Sequence, residues 1–285
     1  MGAPVVPADA ETFTAAGALN RRRWFSSTPS WFGGLIGVLL IIAVWTLFAV
    51  TKFRDNGAVP TPVAVLRQYH SDGFSFYWTN VGVTLRGAVI GFVWGNVLAI
   101  GVALIVLLVP ALEGVATQVA VISYCMPLTA VGPIILVVFG GRAPTIFLAG
   151  ISVFFTTLVG ALLGLKAADR TALDLVTAYG GGRVKRMTKV HLIAALPATL
   201  SALKIAAPAA MLGAIIGEYL GGVDSGLGVV ITAAQQQYLV PRTWGLALVC
   251  GLVAGIGYFA IGLIGRLVTP WASNASGVLS SGGAR

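Results

Sequence analysis

From Trp31 to Val50 the chain runs twenty residues without a charged side chain. A helix rises 1.5 Å per residue, so this run is about as long as the roughly 30 Å hydrocarbon core of a bilayer is thick. Further long apolar runs cover 81–108, 111–139, 144–165, 198–220 and 244–268. The expected fold is an all-α membrane protein with about six transmembrane helices in residues 31–270.

Composition supports lipid as the solvent. Only 9% of the residues are charged, against about 25% in a soluble domain. A soluble fold of 285 residues needs far more polar surface than that to cover itself. The 37 glycines would weaken soluble helices, but in membrane helices small residues let backbones approach closely. The net charge of +9 does not point to nucleic acid, because the cations sit in short gaps between apolar runs rather than among aromatics on a polar surface. Cys125 and Cys250 lie within apolar stretches without metal-ligand spacing and read as packing residues.

Residues 1–30 and 271–285 read as cytoplasmic tails. Arg21-Arg22-Arg23 before an apolar run resembles a twin-arginine export signal, but the run is a full span, lacks an A-x-A cleavage site and is followed by more spans. It is expected to stay as the first helix. Thr61-Pro62 leads a short amphipathic stretch, with proline suited to the first turn of an interfacial helix. Pro127 and Pro133 interrupt the third span, and Gly140-Gly141-Arg142 makes a turn before the fourth. With both termini inside, the cytoplasmic side receives Arg21 to Arg23, the six cations from Lys166 to Lys189, Lys204, Arg266 and Arg285. The other side receives Lys52, Arg54, Arg67, Arg86, Arg142 and Arg242. Twelve against six satisfies the positive-inside rule.

Two spans carry glycine at four-residue spacing: Gly87, Gly91 and Gly95 in the second, Gly213, Gly217 and Gly221 in the fifth. Each stripe lays a smooth groove along one helix face. These faces are expected to be tightly packed seams, and candidates for the surfaces along which helices move. Among ionisable residues within spans, Glu218 is the candidate for the solute pathway. Lys204 and Arg86 are close enough to span ends to snorkel, and Glu113 falls in the short turn between the second and third spans.

Residues 166–197 are the longest polar stretch between spans. Asp169 to Tyr179 has helical periodicity, with Leu173, Val176 and Tyr179 on one side. Gly180-Gly181-Gly182 stops that helix. Val184, Met187 and Val190 then recur among Arg183, Lys185, Arg186 and Lys189, and Leu196-Pro197 closes the segment before the fifth span. The pattern is helix, glycine turn, helix; by itself it also suits a basic loop facing anionic lipid.

Its spacing goes further. Asp174, Gly180 six places on, and Leu196-Pro197 sixteen and seventeen places after that glycine resemble the "EAA" signature of membrane-spanning subunits of binding-protein-dependent ABC importers. That family pattern is Glu-Ala-Ala, three residues, Gly, a basic amphipathic stretch, then Leu-Pro. Pro127-Leu128-Thr129-Ala130-Val131-Gly132-Pro133 resembles the family's proline-broken third helix, and Glu218-Tyr219-Leu220-Gly221 with Gly226-Leu227-Gly228 the end of its fifth. The features cover roughly 60–268 and look most like the nitrate, sulfonate and taurine branch. Asp174 stands where glutamate is usual, Leu175-Val176 replace the two alanines, Ile193 stands where a proline is common, and three glycines stand where one is needed.

The resemblance implies a type I importer permease in a bacterial cytoplasmic membrane. The helix ending at Gly180 would sit in a cleft of an ATPase subunit, with Asp174, Leu175, Val176, Tyr179, Gly180, Gly181, Arg183, Leu196 and Pro197 as coupling residues. Two ATPases, a second permease copy and an extracytoplasmic solute-binding protein would complete the complex. ATP and Mg would belong to the ATPase, since the chain has no G-x-x-x-x-G-K-[ST] and no clustered Asp/His/Glu for catalysis of its own. The expected cargo is a small anion such as nitrate, a sulfonate or taurine. The rival reading is a stand-alone secondary transporter or channel, but neither inverted repeats nor several intramembrane charges stand out.

Overall fold

A computed structural model describes residues 30–51 and 57–271. The expected tails, apart from Ser30 and Trp271, lie outside the described residues, as do Arg21 to Arg23, Lys52, Arg54 and Arg285. Among the described residues every regular element is helical, and the chain divides into two compact units, Met1–Val63 and Ala64–Arg285.

In the first unit, α1 (Ser30–Thr51) has a mean hydropathy of 2.5 over Phe32–Thr51. Its two threonines are satisfied internally: the Thr46 and Thr51 hydroxyls donate to the Ile42 and Leu47 carbonyls, both at 2.7 Å. Hydrocarbon offers no other acceptor.

α2 (Pro62–Asp72) starts on Pro62, whose missing N–H costs nothing at a helix start. α3 (Phe74–Leu108) begins seven residues before the expected 81 and, at 35 residues, is about 52 Å long, well beyond the hydrocarbon thickness. α4 (Glu113–Cys125) and α5 (Leu128–Phe139) replace the single expected span 111–139 and are bent by 93° at the break. Met126 is extended (ψ 125) because the ring of Pro127 crowds the helical conformation of the residue before it. Pro133, expected to interrupt as well, is carried inside α5.

α6 (Ala143–Lys166) and α7 (Arg170–Ala178) follow. α8 (Arg183–Tyr219) is one helix of 37 residues, about 55 Å, containing a π-helical turn at Met187–His191. The expectation that Leu196-Pro197 closes a segment before a span at 198 is corrected here: both residues lie within α8, as does Pro208. Neighbouring helices supply the packing that lets a helix run through a proline. α9 (Leu227–Gln236) and α10 (Val240–Val268) complete the described chain. Helix length and hydropathy give five spans, or six with the α4–α5 pair as one.

The core sits on α6, which packs between α3 and α8. A Cβ on Gly91 would lie 2.4 Å from that of Ala149 and 2.6 Å from the Ile146 carbonyl; one on Gly95 would lie 2.5 Å from the Gly150 carbonyl. On the opposite face Gly213 lies against Leu148, and Gly217 against Pro144 and Thr145. Gly221 does not belong to this seam. It lies past the end of α8 with φ 99 and nothing within 4 Å, and it serves the turn instead. Within the α3–α6 seam the Thr157 hydroxyl donates to the buried Asn96 side chain, satisfying two polar groups that lipid could not.

Candidate functional site

The helix termini gather into two ends. At one, α6 finishes at Lys166, which pairs with Glu113 at the start of α4. His191 Nδ1 donates to the Leu165 carbonyl at 2.8 Å, fixing the beginning of α8 to the end of α6. Between them projects α7. The Asp169 carboxylate accepts the Thr171 N–H at 3.2 Å and caps its start. Its finish is a Schellman turn: the Gly181 N–H donates to the Val176 carbonyl at 2.8 Å and the Gly180 N–H to that of Thr177 at 2.9 Å. Gly180 has φ 72, which costs a residue with a Cβ roughly 1–2 kcal/mol. A Cβ on Gly181 would meet the Val176 carbonyl at 2.5 Å. Gly182 is free of such contacts, so two of the three glycines are demanded by geometry.

No residue of α7 is buried. Leu173 and Val176 are half-covered, while Tyr179 is 84% exposed and Leu175 59%. The expected stripe of Leu173, Val176 and Tyr179 therefore divides, and the outward surface mixes Leu175, Ala178 and Tyr179 with Arg170, Thr171, Asp174 and Thr177. Arg183 begins α8 directly after the turn. Leu196 and Pro197 lie more than three turns further along α8, away from α7.

At the opposite end, Glu218 is 1% exposed in the last turn of α8. Its Oε2 accepts the Gly228 N–H at 2.9 Å and the Thr84 hydroxyl at 2.8 Å. Thr84 Oγ1 accepts the Leu227 N–H at 2.7 Å, and Asn80 Oδ1 the Gly226 N–H at 3.1 Å. Three consecutive amides at the start of α9 are thus capped by side chains from two other helices. The glycines make room for it: a Cβ on Gly226 would lie 2.3 Å from Glu218 Oε1, and one on Gly228 2.5 Å from the Ile215 carbonyl. Glu218 is thereby a fixed tertiary cap.

Beside this cap, the Asp72 side chain, 1% exposed, is held by Arg242, by the Tyr77 hydroxyl at 2.8 Å and by the Gln68 amide at 2.7 Å. Burial pushes this carboxyl up, but the hydrogen bonds from Arg242, Tyr77 and Gln68 outweigh it and hold it below the usual carboxylate range. The Tyr69 hydroxyl donates to the Gly245 carbonyl at 2.7 Å, so α2 is bound to α10 at two points.

Residues 95–274 match the family model described as the binding-protein-dependent transport system inner membrane component. The chain belongs to that family. It is a binding-protein-dependent ABC importer permease, a multi-pass protein of the bacterial cytoplasmic membrane. A probable ABC transporter permease of Haemophilus influenzae is 28% identical over 228 residues, 80% of this chain and 91% of that one. The formylaminopyrimidine transport permease ThiX of Halalkalibacterium halodurans is 26% identical, covering 82% of this chain and 93% of that one. The putative aliphatic sulfonates permease SsuC of Bacillus subtilis is 22% identical, covering 87% and 90%. The inward-facing MetNI methionine ABC transporter has a similar fold at 20% identity, with TM-score 0.54 over 68% of this chain and 95% of that one.

Permeases of this family are not enzymes; a separate subunit hydrolyses ATP, and a binding protein is a further partner. Sequence reading misses the residues that complete the cap and the Asp72–Arg242 pair. For Asn80 and Thr84 a signal exists. They are polar residues four apart in an apolar helix, on the face that continues through Ala88, Gly91 and Gly95. For Asp72 and Arg242, 170 positions apart, no local pattern announces the pairing.

Proposed function

We propose that two copies of this permease form the solute pathway of an ATP-driven importer, each with an ATPase subunit gripping α7. The observation that carries this reading is a nine-residue helix capped at both ends, with Leu175 and Tyr179 uncovered beside Asp174 on its outward surface and a rigid turn into α8. Nine residues are too few for a stable free helix, and exposed Leu175 and Tyr179 call for a covering surface. Asp174, exposed on the same surface, keeps the charge of the usual glutamate with a shorter reach.

In this reading the α7 end and both termini are cytoplasmic, in line with the charge bias. ATP and Mg stay in the partner. When the ATPases close they carry α7 with them, and α8 passes the displacement along some 55 Å to the capped loop at the other end. The glycine seams of α3 and α8 against α6 are the surfaces along which the spans rock. The cargo is a small anionic solute of the nitrate, sulfonate or taurine kind. SsuC is named for sulfonates, whereas ThiX is named for a pyrimidine; the arginines at the Glu218 end favour the anion.

Gly180→Val tests the lever. The left-handed turn disfavours a β-branched residue, so the reconstituted complex is expected to assemble and hydrolyse ATP while uptake falls to background. Wild-type uptake by the mutant would refute the reading.

A further inference from the structure

Val83, Arg86, Gly87, Ile90, Arg142, Thr145 and Ile146 line an open cavity of about 330 Å³ along the α3–α6 seam. Its position is fixed by Gly87 against Thr145 on one side of α6 and Gly217 against Thr145 on the other. The cavity thus lies level with the last turn of α8, at the same end as the capped loop. Two guanidinium groups from different helices line it. Among the described residues the ion pairs are Glu113–Lys166 and Asp72–Arg242; Arg86 and Arg142 make no direct ion pair, and Arg142 lies within electrostatic reach of the buried Glu218 carboxylate. Arg142 donates to the Ser225 hydroxyl, at 3.0 Å, in the loop that leads to α9. Thr145 is 1% exposed, and its hydroxyl has no hydrogen-bond partner.

We propose that Arg86, Arg142 and Thr145 form an oxyanion site at the mouth of the solute pathway, where the transported solute first binds after leaving its binding protein. Arg86 and Arg142 are both exposed at this cavity and neither is in an ion pair, so two guanidinium groups from different helices are left available to one ligand. An oxyanion suits this pair, because each guanidinium presents paired N–H groups matched to sulfonate, carboxylate or nitrate oxygens. Thr145 lies in the same wall, its hydroxyl buried and without a partner. The volume falls at the small end of ligand pockets, about 300–1,000 Å³, and Val83, Ile90 and Ile146 suit a compact apolar body behind the anionic head. The bond from Arg142 to Ser225 ties occupancy to the loop in front of α9. The site rests on the anion-importer reading and gives it a location.

Phenylglyoxal, which modifies arginine, tests the site on the purified assembly in nanodiscs, with modification followed by peptide mass spectrometry. In phosphatidylcholine discs, saturating methanesulfonate is expected to slow modification of Arg86 and Arg142 about tenfold, while exposed Arg67 reacts as before. Absence of protection would overturn the site. Protection that needs added phosphatidylglycerol and not methanesulfonate would also overturn it, because a lipid headgroup then occupies the cavity. Arg86→Lys and Arg142→Lys, which keep the charge and lose the paired N–H groups, are expected to weaken protection of the remaining arginine. Protection of both arginines without ATP-driven uptake of methanesulfonate would leave the site standing and remove the anion-importer reading; coupled uptake with unprotected arginines would do the reverse.

Discussion

The two ends of this permease finish their helices in opposite ways. At the Glu218 end, α9 is capped by Asn80, Thr84 and Glu218, side chains of two other helices, and the carboxylate is shielded from solvent. At the other end, α7 is capped by its own neighbours in sequence, Asp169 before it and Gly180-Gly181 after it, and buries no residue. A tertiary cap locks an element to the frame; a local cap keeps an element whole while leaving it free to be taken up by something else. The contrast separates the frame of the importer from its handle. Substitutions in the frame should cost stability, and substitutions in the handle should cost only coupling.

The largest loss is expected from Gly91→Leu. The new Cβ meets Ala149 Cβ at 2.4 Å and the Ile146 carbonyl at 2.6 Å, and backbone does not give way as a side-chain tip does. The α3–α6 seam must open, at or above the roughly 1–3 kcal/mol usual for overpacking. Size-exclusion chromatography should show little monodisperse permease. A well-behaved mutant would mean that the seam is looser than its geometry indicates.

Glu218→Ala comes next. It removes the acceptor of the Gly228 amide and the Thr84 hydroxyl in a buried setting, which costs about 1–3 kcal/mol. The thermal midpoint should fall clearly, and Glu218→Gln, which keeps an acceptor oxygen, should recover part of the loss. If both variants melt with the wild type, the cap is not a frame element.

Asp72 sharpens the comparison through pH. Its carboxyl titrates below the ordinary value of 3.8, so the folded state binds this proton less readily than the unfolded chain. The stabilisation is complete above about pH 4 and is lost as pH falls through the lowered value. Asp72→Asn should cost about 1–3 kcal/mol at pH 7, and the gap between the two melting curves should narrow below pH 4. A gap that stays constant down to pH 3 would assign the loss to packing rather than to the ion pair with Arg242.

Most of the frame is legible in the sequence because hydrocarbon thickness and apolar runs report on each other directly. The failures have particular causes. Pro127 and Pro133 look equivalent as letters, yet only the first coincides with an extended residue before it and breaks the helix. Pro197 reads as a stop because proline is costly in an isolated helix, whereas flanking helices carry α8 through it. Gly221 continues a four-residue spacing that the helix itself has already left at Tyr219. The cap at Glu218 is half visible: the glutamate and the glycines at 226 and 228 are conspicuous, but that they meet depends on how α3, α8 and α9 assemble.

The smallest effect on stability is expected at the handle itself. Leu175 is 59% exposed and Tyr179 84%, so Leu175→Asp and Tyr179→Ala remove little buried area. Surface substitutions of this kind usually stay within about 0.5 kcal/mol, and Leu175→Asp leaves the Asp169 cap and the Schellman turn untouched. The melting temperature of the isolated permease should therefore match the wild type. The same change replaces an apolar contact by a second carboxylate beside Asp174 on the surface through which α7 is read as entering the ATPase cleft, and a charge covered there without a partner is costly. Leu175→Asp should then lose the ATPase during affinity purification, while Tyr179→Ala retains it more weakly. A stability loss in the isolated chain would show that α7 packs against its own protein after all. Full ATPase retention with unaltered melting would show that this surface faces nothing, and the frame-and-handle division would fail at the point where it is easiest to test.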